Sequence, residues 1–96
     1  MNNFELLLTN TTPKDINKLI AGRIRNIRRR RKISQQELGE KAGVSLGSVK
    51  RFEQTSEISL MSLTKITIAL GIDDEMKNLF ADVPFLSIEE IKNAED

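Results

Sequence analysis

The stretch ISQQELGEKAGVSLGSVKRFEQ, Ile33 to Gln54, decides the fold because it predicts two short helices joined by a tight turn. Ser34 and Glu37 have the spacing of a capping box, in which each side chain binds the other residue's free backbone N–H at a helix start. Gly43 ends this helix, because glycine tolerates the left-handed conformation at a helix C-terminus. Ser45 can cap the next helix, so the stretch predicts a helix-turn-helix.

Each of the two helices has an apolar side. Leu38 and Ala42 form it on the first helix, Val49 and Phe52 on the second, and Val44 can plug the angle between them. The outward residues of the second helix are Leu46, Gly47, Lys50, Arg51 and Gln54. A short cationic helix with hydrogen-bonding side chains fits the major groove of B-DNA.

Three parts of this stretch are typical of one family, namely ISQQEL at 33–38, AGVS at 42–45, and Glu53. The stretch resembles the helix-turn-helix of lambda-repressor-like proteins of the XRE or Cro/CI type. Gly39 stands where that family most often has Ala. The glycine weakens the helix by up to about 1 kcal/mol relative to Ala, and it permits close packing. With its flanking helices the resemblance covers about residues 16 to 80. It implies an all-α, five-helix DNA-binding domain.

Composition limits the other classes of function. Ninety-six residues suffice for one domain, and the absence of Cys and His removes disulfides, thiol chemistry and most transition-metal sites. The acids at 73–75 suit a helix start and lack the alternating ligands of a calcium loop. We therefore predict no enzyme, no cofactor and no metal. No span of about 20 apolar residues is present, so we expect a soluble, cytoplasmic protein without a membrane partner.

The charge is separated along the chain. Residues 21–54 carry ten Lys or Arg and three Asp or Glu, a net charge of +7, whereas residues 55–96 carry three and nine, a net charge of −6. A basic surface beside an acidic one suits a polyanion partner on one side only.

The segments before the helix-turn-helix are an arm and a long helix. Residues 1–11 contain Phe4 and the run 6–8 of three Leu, and their pattern leaves open a helix, an edge strand or an arm packed on this core or on another subunit. Thr12 and Pro13 then start helix 1. Its inward side is predicted to be Ile16, Leu19, Ile20, Ile24 and Ile27.

Helix 1 ends in a basic cluster, which comprises Arg23, Arg25, Arg28, Arg29, Arg30, Arg31 and Lys32. Some of these charges complement the negative end of the helix dipole. In the lambda-repressor-like family an Arg at the place of Arg28 pairs with the Glu at the end of the recognition helix. The resemblance implies the same pair here, between Arg28 and Glu53.

The segments after Gln54 predict two further helices. Ser59 caps helix 4 and Gly71 stops it. The predicted inward side of helix 4 is Leu60, Leu63, Ile66, Thr67 and Leu70. Asp73 or Asp74 is predicted to cap helix 5, with Met76, Leu79 and Phe80 inward.

We divide the chain into an N-terminal arm (1–11), the helix-turn-helix domain (12–81) and a C-terminal extension (82–96). Val83 to Leu86 is extended, because the residue before a proline avoids the helical region. Ser87 and Glu90 form a second capping box that opens a short acidic helix. This apolar and acidic extension either folds back on the domain or meets a second protein chain.

The predicted partner is double-stranded DNA. The residues expected near base edges are Ser45, Leu46, Gly47, Lys50 and Arg51. The residues expected near phosphates are Ser34, Gln35, Arg28, Arg29, Arg30, Lys32 and Ser48. Arg51 suits a bidentate contact with guanine, and Gln35 matches the family's phosphate-contacting Gln. One domain contacts few base pairs, so we expect a homodimeric repressor on a palindromic operator with half-sites about 10 bp apart.

Two alternatives share these features. Residues 47–71 followed by an acidic, apolar extension resemble the HipB-type antitoxins, which accompany HipA-like kinases and repress their own operons. A toxin protein is then a second partner. A phage or mobile-element repressor fits the sequence equally well.

Overall fold

The computed structural model describes residues 12–95, which form six α-helices and, over that range, no strand. The helices are α1 Pro13–Arg30, α2 Gln35–Ala42, α3 Leu46–Thr55, α4 Leu60–Ala69, α5 Asp73–Lys77 and α6 Ile88–Ala94. The predicted all-α fold is confirmed, with five helices in the domain and the sixth in the extension. The arm at residues 1–11 lies outside the described residues.

Four helix starts have the predicted side-chain caps. The hydroxyl oxygens of Thr12, Ser34, Ser45 and Ser59 each accept a hydrogen bond from the backbone N–H three residues later, at 3.0 to 3.2 Å. Each bond satisfies one of the N–H groups that a helix start leaves without an intrahelical acceptor. These starts fix where α1 to α4 begin.

The helix ends use left-handed residues, two of which are the predicted glycines. Gly43 after α2 has φ 69° and Gly71 after α4 has φ 70°. Lys32 after α1 and Ser56 after α3 adopt similar values, 58° and 65°, although a side chain makes this conformation less favourable. The chain therefore turns sharply at these four points.

The core lies between α1, α2, α3 and α4. The side chains of Leu38, Val49, Phe52 and Ile66 are fully buried. The remaining buried apolar residues are Ala21, Ile24, Val44 and Leu70. Helix α2 packs against both α3 and α4, while α1 packs against α3 and α5 against α4. The helix-turn-helix is thus held from two sides.

Three of the core positions predicted on α1 and α4 are wrong. Ile16 and Ile20 on α1 are 46% and 39% exposed, and Leu60 at the start of α4 is 70% exposed. They fit the helical period of their helices, but these parts of α1 and α4 extend beyond the surface that the neighbouring helices cover. The apolar pattern predicts one side of a helix and does not predict how far along the helix a partner reaches.

The prediction for helix 5 is also wrong in two respects. Asp73 is the first residue of α5, the N-cap is Ile72, and no side chain caps the helix. Helix α5 ends at Lys77, so Leu79 and Phe80 lie beyond it and are 50% and 80% exposed. Phe80 also has φ 62°, which is unusual for a bulky residue.

The extension does not fold back on the domain, so that alternative is wrong for the single chain. Leu86 is 92% exposed, and no residue of α6 is buried. The Ser87 hydroxyl accepts from the Glu90 N–H at 3.1 Å as predicted, but the Glu90 carboxylate accepts from the Leu86 N–H instead of closing the box on Ser87.

Candidate nucleic-acid interface

The turn between α2 and α3 is built around Gly39. The Gly39 carbonyl accepts a hydrogen bond from the Val44 N–H at 3.0 Å, and Val44 is 8% exposed. A Cβ atom added at Gly39 would lie 2.6 Å from the Val44 carbonyl oxygen, closer than real Cβ atoms approach. The absence of a side chain at Gly39 therefore sets how closely α3 begins beside α2.

The far end of α3 is fixed by an ion pair between Arg28 and Glu53. Arg28 Nε and Nη2 donate to the two carboxylate oxygens of Glu53 at 2.7 and 2.8 Å. Arg28 Nη1 donates to the carbonyl of Ile33, just before α2, at 2.8 Å. The side chains of Arg28 and Glu53 are only 10% and 4% exposed. This pair ties the end of α1 to the start of α2 and the end of α3.

Burial raises the pKa of Glu53, but hydrogen bonds from Arg28 and Gln35 and the positive charges of Arg28 and Arg25 lower it by more. The net effect is a pKa below the usual value, so Glu53 is ionised at neutral pH. A bidentate bond between two charged groups is among the stronger hydrogen bonds in proteins.

The outward side of α3 presents the predicted base-contacting residues to solvent. Ser45, Leu46, Gly47, Lys50 and Arg51 are all exposed. The Ser45 hydroxyl accepts from the Ser48 N–H as the helix cap and donates to the Ser48 hydroxyl at 2.8 Å. Nothing lies within 4 Å of a Cβ added at Gly47. The surface is therefore open for another molecule to approach closely.

Arg51 is exposed but has a partner that the sequence did not indicate. Its Nη2 and Nε atoms donate to Glu57 Oε2 at 2.7 and 3.2 Å, and both side chains are about two-thirds exposed. Exposed pairs of this kind contribute about 0 to 1 kcal/mol. The contact orients Arg51 without making it unavailable.

The start of α2 provides backbone donors beside the predicted phosphate contacts. The Ser34 N–H and the Glu37 N–H are satisfied within the capping box, at 3.1 and 3.0 Å. The N–H groups of Gln35 and Gln36 have no intrahelical acceptor, since they lie in the first turn. A helix N-terminus of this kind attracts anions. The Gln35 side chain donates to Glu53 at 3.1 Å, which places it between α2 and α3.

The members of the basic cluster differ in whether they bind other parts of the chain. Arg31 donates to the carbonyl of Leu70 at the end of α4, and Arg28 belongs to the buried pair. Arg29, Arg30 and Lys32 are exposed. These three remain candidates for phosphate contacts, whereas Arg28 can offer a phosphate only the small exposed part of its guanidinium.

Lys14 and Lys18 continue the basic cluster along α1 from Arg25 and were missed by the sequence analysis. Lys14, Lys18 and Arg25 line an open groove between α1 and the end of α3. Arg25 Nε lies 3.8 Å from Glu53 Oε1, and its side chain is 52% exposed. The spacing of four and seven residues places all three on one side of the helix, which is the signal that would have identified them.

Within residues 12–95 no group of side chains is suited to hold a metal ion. None of the helices in that range is both long enough and apolar enough to span a bilayer.

A packed helix-turn-helix with an exposed, cationic second helix defines a DNA-binding protein. The family model described as helix-turn-helix, HTH_3, matches residues 24–75, more than half of the chain. The chain therefore belongs to this family of XRE-type, lambda-repressor-like proteins, and it is a DNA-binding transcription regulator. No curated protein and no solved structure was found to match it.

Proposed function

We propose that the protein is a repressor that binds a palindromic operator as a homodimer, with α3 in the major groove. The observation that carries this proposal is the exposed surface of α3, where Lys50 and Arg51 project from a helix fixed at both ends, by the Gly39 turn and by Glu53. A fixed helix loses little conformational freedom on binding, so its contacts contribute more fully to affinity.

The roles of the contacting residues follow from their chemistry. Arg51 suits guanine, which presents two acceptors in the major groove, and Leu46 suits the thymine methyl group. The N–H groups at the start of α2, with Gln35 and Ser34, would hold one phosphate of the backbone. Arg29, Arg30 and Lys32 would supply further phosphate contacts that carry no sequence information. Ser45, Gly47, Lys50 and Ser48 complete the proposed interface.

The extension supports the homodimer. Five large apolar residues of the extension, between 83 and 91, are at least 42% exposed, and large exposed apolar patches mark interaction sites. We propose that α1 of the partner packs against this surface. Ile16 and Ile20 are exposed on α1, and the neighbouring Lys14 and Lys18 complement the acids of α6. A two-fold dimer then presents two α3 helices to two half-sites.

Repression requires only that the bound dimer occupy the operator. The proposal is tested by selecting bound duplexes from a random pool and titrating the selected duplex against a random one at about 0.1 M salt. The expected result is a palindromic consensus that binds more tightly than random DNA. Equal affinity for selected and random duplexes would refute the proposal.

The same titrations assign the residues. Arg51→Ala should reduce affinity for the selected duplex by about 1 to 3 kcal/mol and relax the preference at one base pair, because it removes a bidentate base contact. Arg29→Ala should weaken the binding of selected and random duplexes alike and lower the salt slope by about 1, because it removes a phosphate contact. If Arg51→Ala also weakened the selected and the random duplex equally, Arg51 would not be a base-reading residue and the assignment would be contradicted.

The second candidate function is that of an antitoxin, in which the extension binds a kinase-like toxin and α3 represses the operon of the pair. The exposed apolar extension favours this function as well, because it could be covered by a different protein. DNA binding and toxin binding are compatible in one chain.

A further inference from the structure

The loop after α3 is closed on itself by a ring of hydrogen bonds. The Thr55 hydroxyl donates to the Arg51 carbonyl at 2.7 Å and accepts from the Glu57 N–H at 3.3 Å. Ser56, in the left-handed conformation, reverses the chain between them, and its N–H donates to the Phe52 carbonyl at 2.8 Å. The Glu57 carboxylate is thereby directed back along α3 to the Arg51 guanidinium.

The ring leaves one edge of the guanidinium available. A guanidinium has a side edge, formed by Nε and one terminal nitrogen, and an end edge, formed by the two terminal nitrogens. Glu57 Oε2 accepts from Nε and Nη2, which is the side edge. The end edge, with Nη1 and the second hydrogen of Nη2, remains for a pair of acceptors such as guanine O6 and N7.

We propose that Glu57 is a positioning residue for DNA specificity, which holds Arg51 so that its end edge meets a guanine. The inference rests on the proposed function, in which α3 lies in the major groove. A long exposed Arg loses rotamer freedom when it binds, and an oriented Arg loses less. At a site without guanine, the Glu57 carboxylate holds Arg51 away from a phosphate contact that would otherwise favour binding at that site. Both effects raise discrimination.

The charge of this loop supports the inference. The sequence between α3 and α4 is Ser56 to Ser59, and Glu57 is its charged residue. A carboxylate at the edge of a DNA-binding surface lowers affinity for every duplex, since phosphates are repelled. Through its contact with Arg51, the same residue can improve the choice between duplexes, because it acts on a side chain proposed to read a base.

The test uses the full chain and three duplexes. The first is the selected duplex, the second is altered at the base pair where Arg51→Ala relaxes the sequence preference, and the third is random. Glu57→Gln removes the charge and should raise affinity for the random duplex. It should also lower discrimination at the Arg51-dependent base pair by up to about fivefold, which is the upper limit for the contribution of an exposed ion pair. Discrimination at the other base pairs should not change.

Three matched variants separate positioning from a change in charge. Glu57→Asp keeps the charge but shortens the side chain, and it should lose discrimination without a gain in random-duplex affinity. Glu75→Gln makes the same charge change on α5, where the side chain is exposed, and it should leave discrimination unchanged. In an Arg51→Ala background, Glu57→Gln should have no effect on discrimination.

Each contrary result has its own meaning. If Glu57→Gln keeps or raises discrimination at that base pair while the wild-type protein shows a clear sequence preference, Glu57 merely competes with DNA for Arg51, and the inference is overturned alone. If the wild-type protein shows no preference among duplexes, the proposed function fails, and the inference fails with it.

Discussion

Glu53 connects three helices through a side chain that solvent barely reaches. It accepts from Arg28 at the end of α1 and from Gln35 at the start of α2, and it lies near the end of α3. The Arg28 guanidinium donates to the Glu53 carboxylate and also to the Ile33 carbonyl in the turn before α2. A buried charge is tolerated only when it is paired and hydrogen-bonded in this way.

We expect Glu53→Gln to lower the free energy of unfolding by about 3 to 5 kcal/mol, because it leaves the Arg28 cation buried without its counter-charge. Urea unfolding followed by circular dichroism measures the loss. Replacing both partners, with Arg28→Met and Glu53→Leu, should recover much of the stability, since no unpaired charge remains. A single variant as stable as the wild type would refute the structural role of the pair.

The contribution of the Arg28–Glu53 pair to the free energy of unfolding should depend on pH. The pKa of Glu53 is lowered in the folded protein relative to about 4.3 in the unfolded chain. The stabilisation from its charge is therefore complete above that value and is lost as the pH falls through the folded pKa. The difference in unfolding free energy between the wild type and Glu53→Gln should shrink as the pH is lowered from 7 to about 3. A constant difference over this range would contradict the assignment.

At the scale of helices, the sequence predicted the starts and several ends well. Caps such as Ser34 and stops such as Gly43 depend on residues within one turn, so a local pattern is sufficient to find them. Burial depends on distant elements, which explains why Leu60 and Phe80 were placed wrongly. The contact of Arg51 with Glu57 crosses a helix end at a spacing of six residues, for which no sequence pattern exists.

The Arg28–Glu53 pair was expected from the family resemblance alone, since a separation of 25 residues carries no local signal. The DNA contacts themselves were predicted from residue type and helix side. They stay predictions, because residue type and helix side do not determine which base edge or phosphate each side chain meets.

Helix propensity and packing oppose each other at Gly39. Gly39→Ala would gain up to about 1 kcal/mol from propensity alone. It would also place a methyl group 2.6 Å from the Val44 carbonyl, a backbone atom that cannot move without shifting α3. Overpacking of this kind costs about 1 to 3 kcal/mol, so we expect a net loss of stability.

Gly22→Ala in α1 is the matched control for Gly39→Ala. Nothing lies within 4 Å of a Cβ at Gly22, so the same substitution should stabilise the protein by up to about 1 kcal/mol. Thermal unfolding of the two variants should therefore shift in opposite directions. A stabilised Gly39→Ala variant would show that the turn is looser than the structure indicates.

At the scale of the whole molecule, positive and negative charges concentrate on different segments. Most exposed cations lie on α1 and the helix-turn-helix, whereas the extension carries acids beside exposed apolar residues such as Leu86 and Ile88. DNA phosphates repel these acids, so we expect the apolar surface of the extension to face a protein and not DNA.

We expect Leu86→Asp to weaken the proposed homodimer, because Leu86 is 92% exposed in the single chain and its apolar surface would be buried in that dimer. Sedimentation at several protein concentrations measures this. Ile68→Asp, the same kind of change at a 59% exposed position on α4, should leave the dimer intact. Affinity for a single half-site should be unchanged in both variants.

Other outcomes of this experiment identify the partner. If Leu86→Asp remains dimeric and still binds DNA but no longer co-purifies with the product of a neighbouring gene, the antitoxin function is favoured over dimerisation through the extension. If it changes neither association nor co-purification, the extension is not the interaction surface.

At Lys32, thermal stability and DNA affinity favour different residues. Its backbone, at φ 58°, adopts a conformation that glycine occupies without strain. Lys32→Gly should therefore give a more heat-resistant protein, and the same change removes a cation from the proposed phosphate contacts. A screen by melting temperature alone would therefore select Lys32→Gly. The selected protein would have a higher melting temperature, but it would dissociate from the proposed operator at a lower salt concentration.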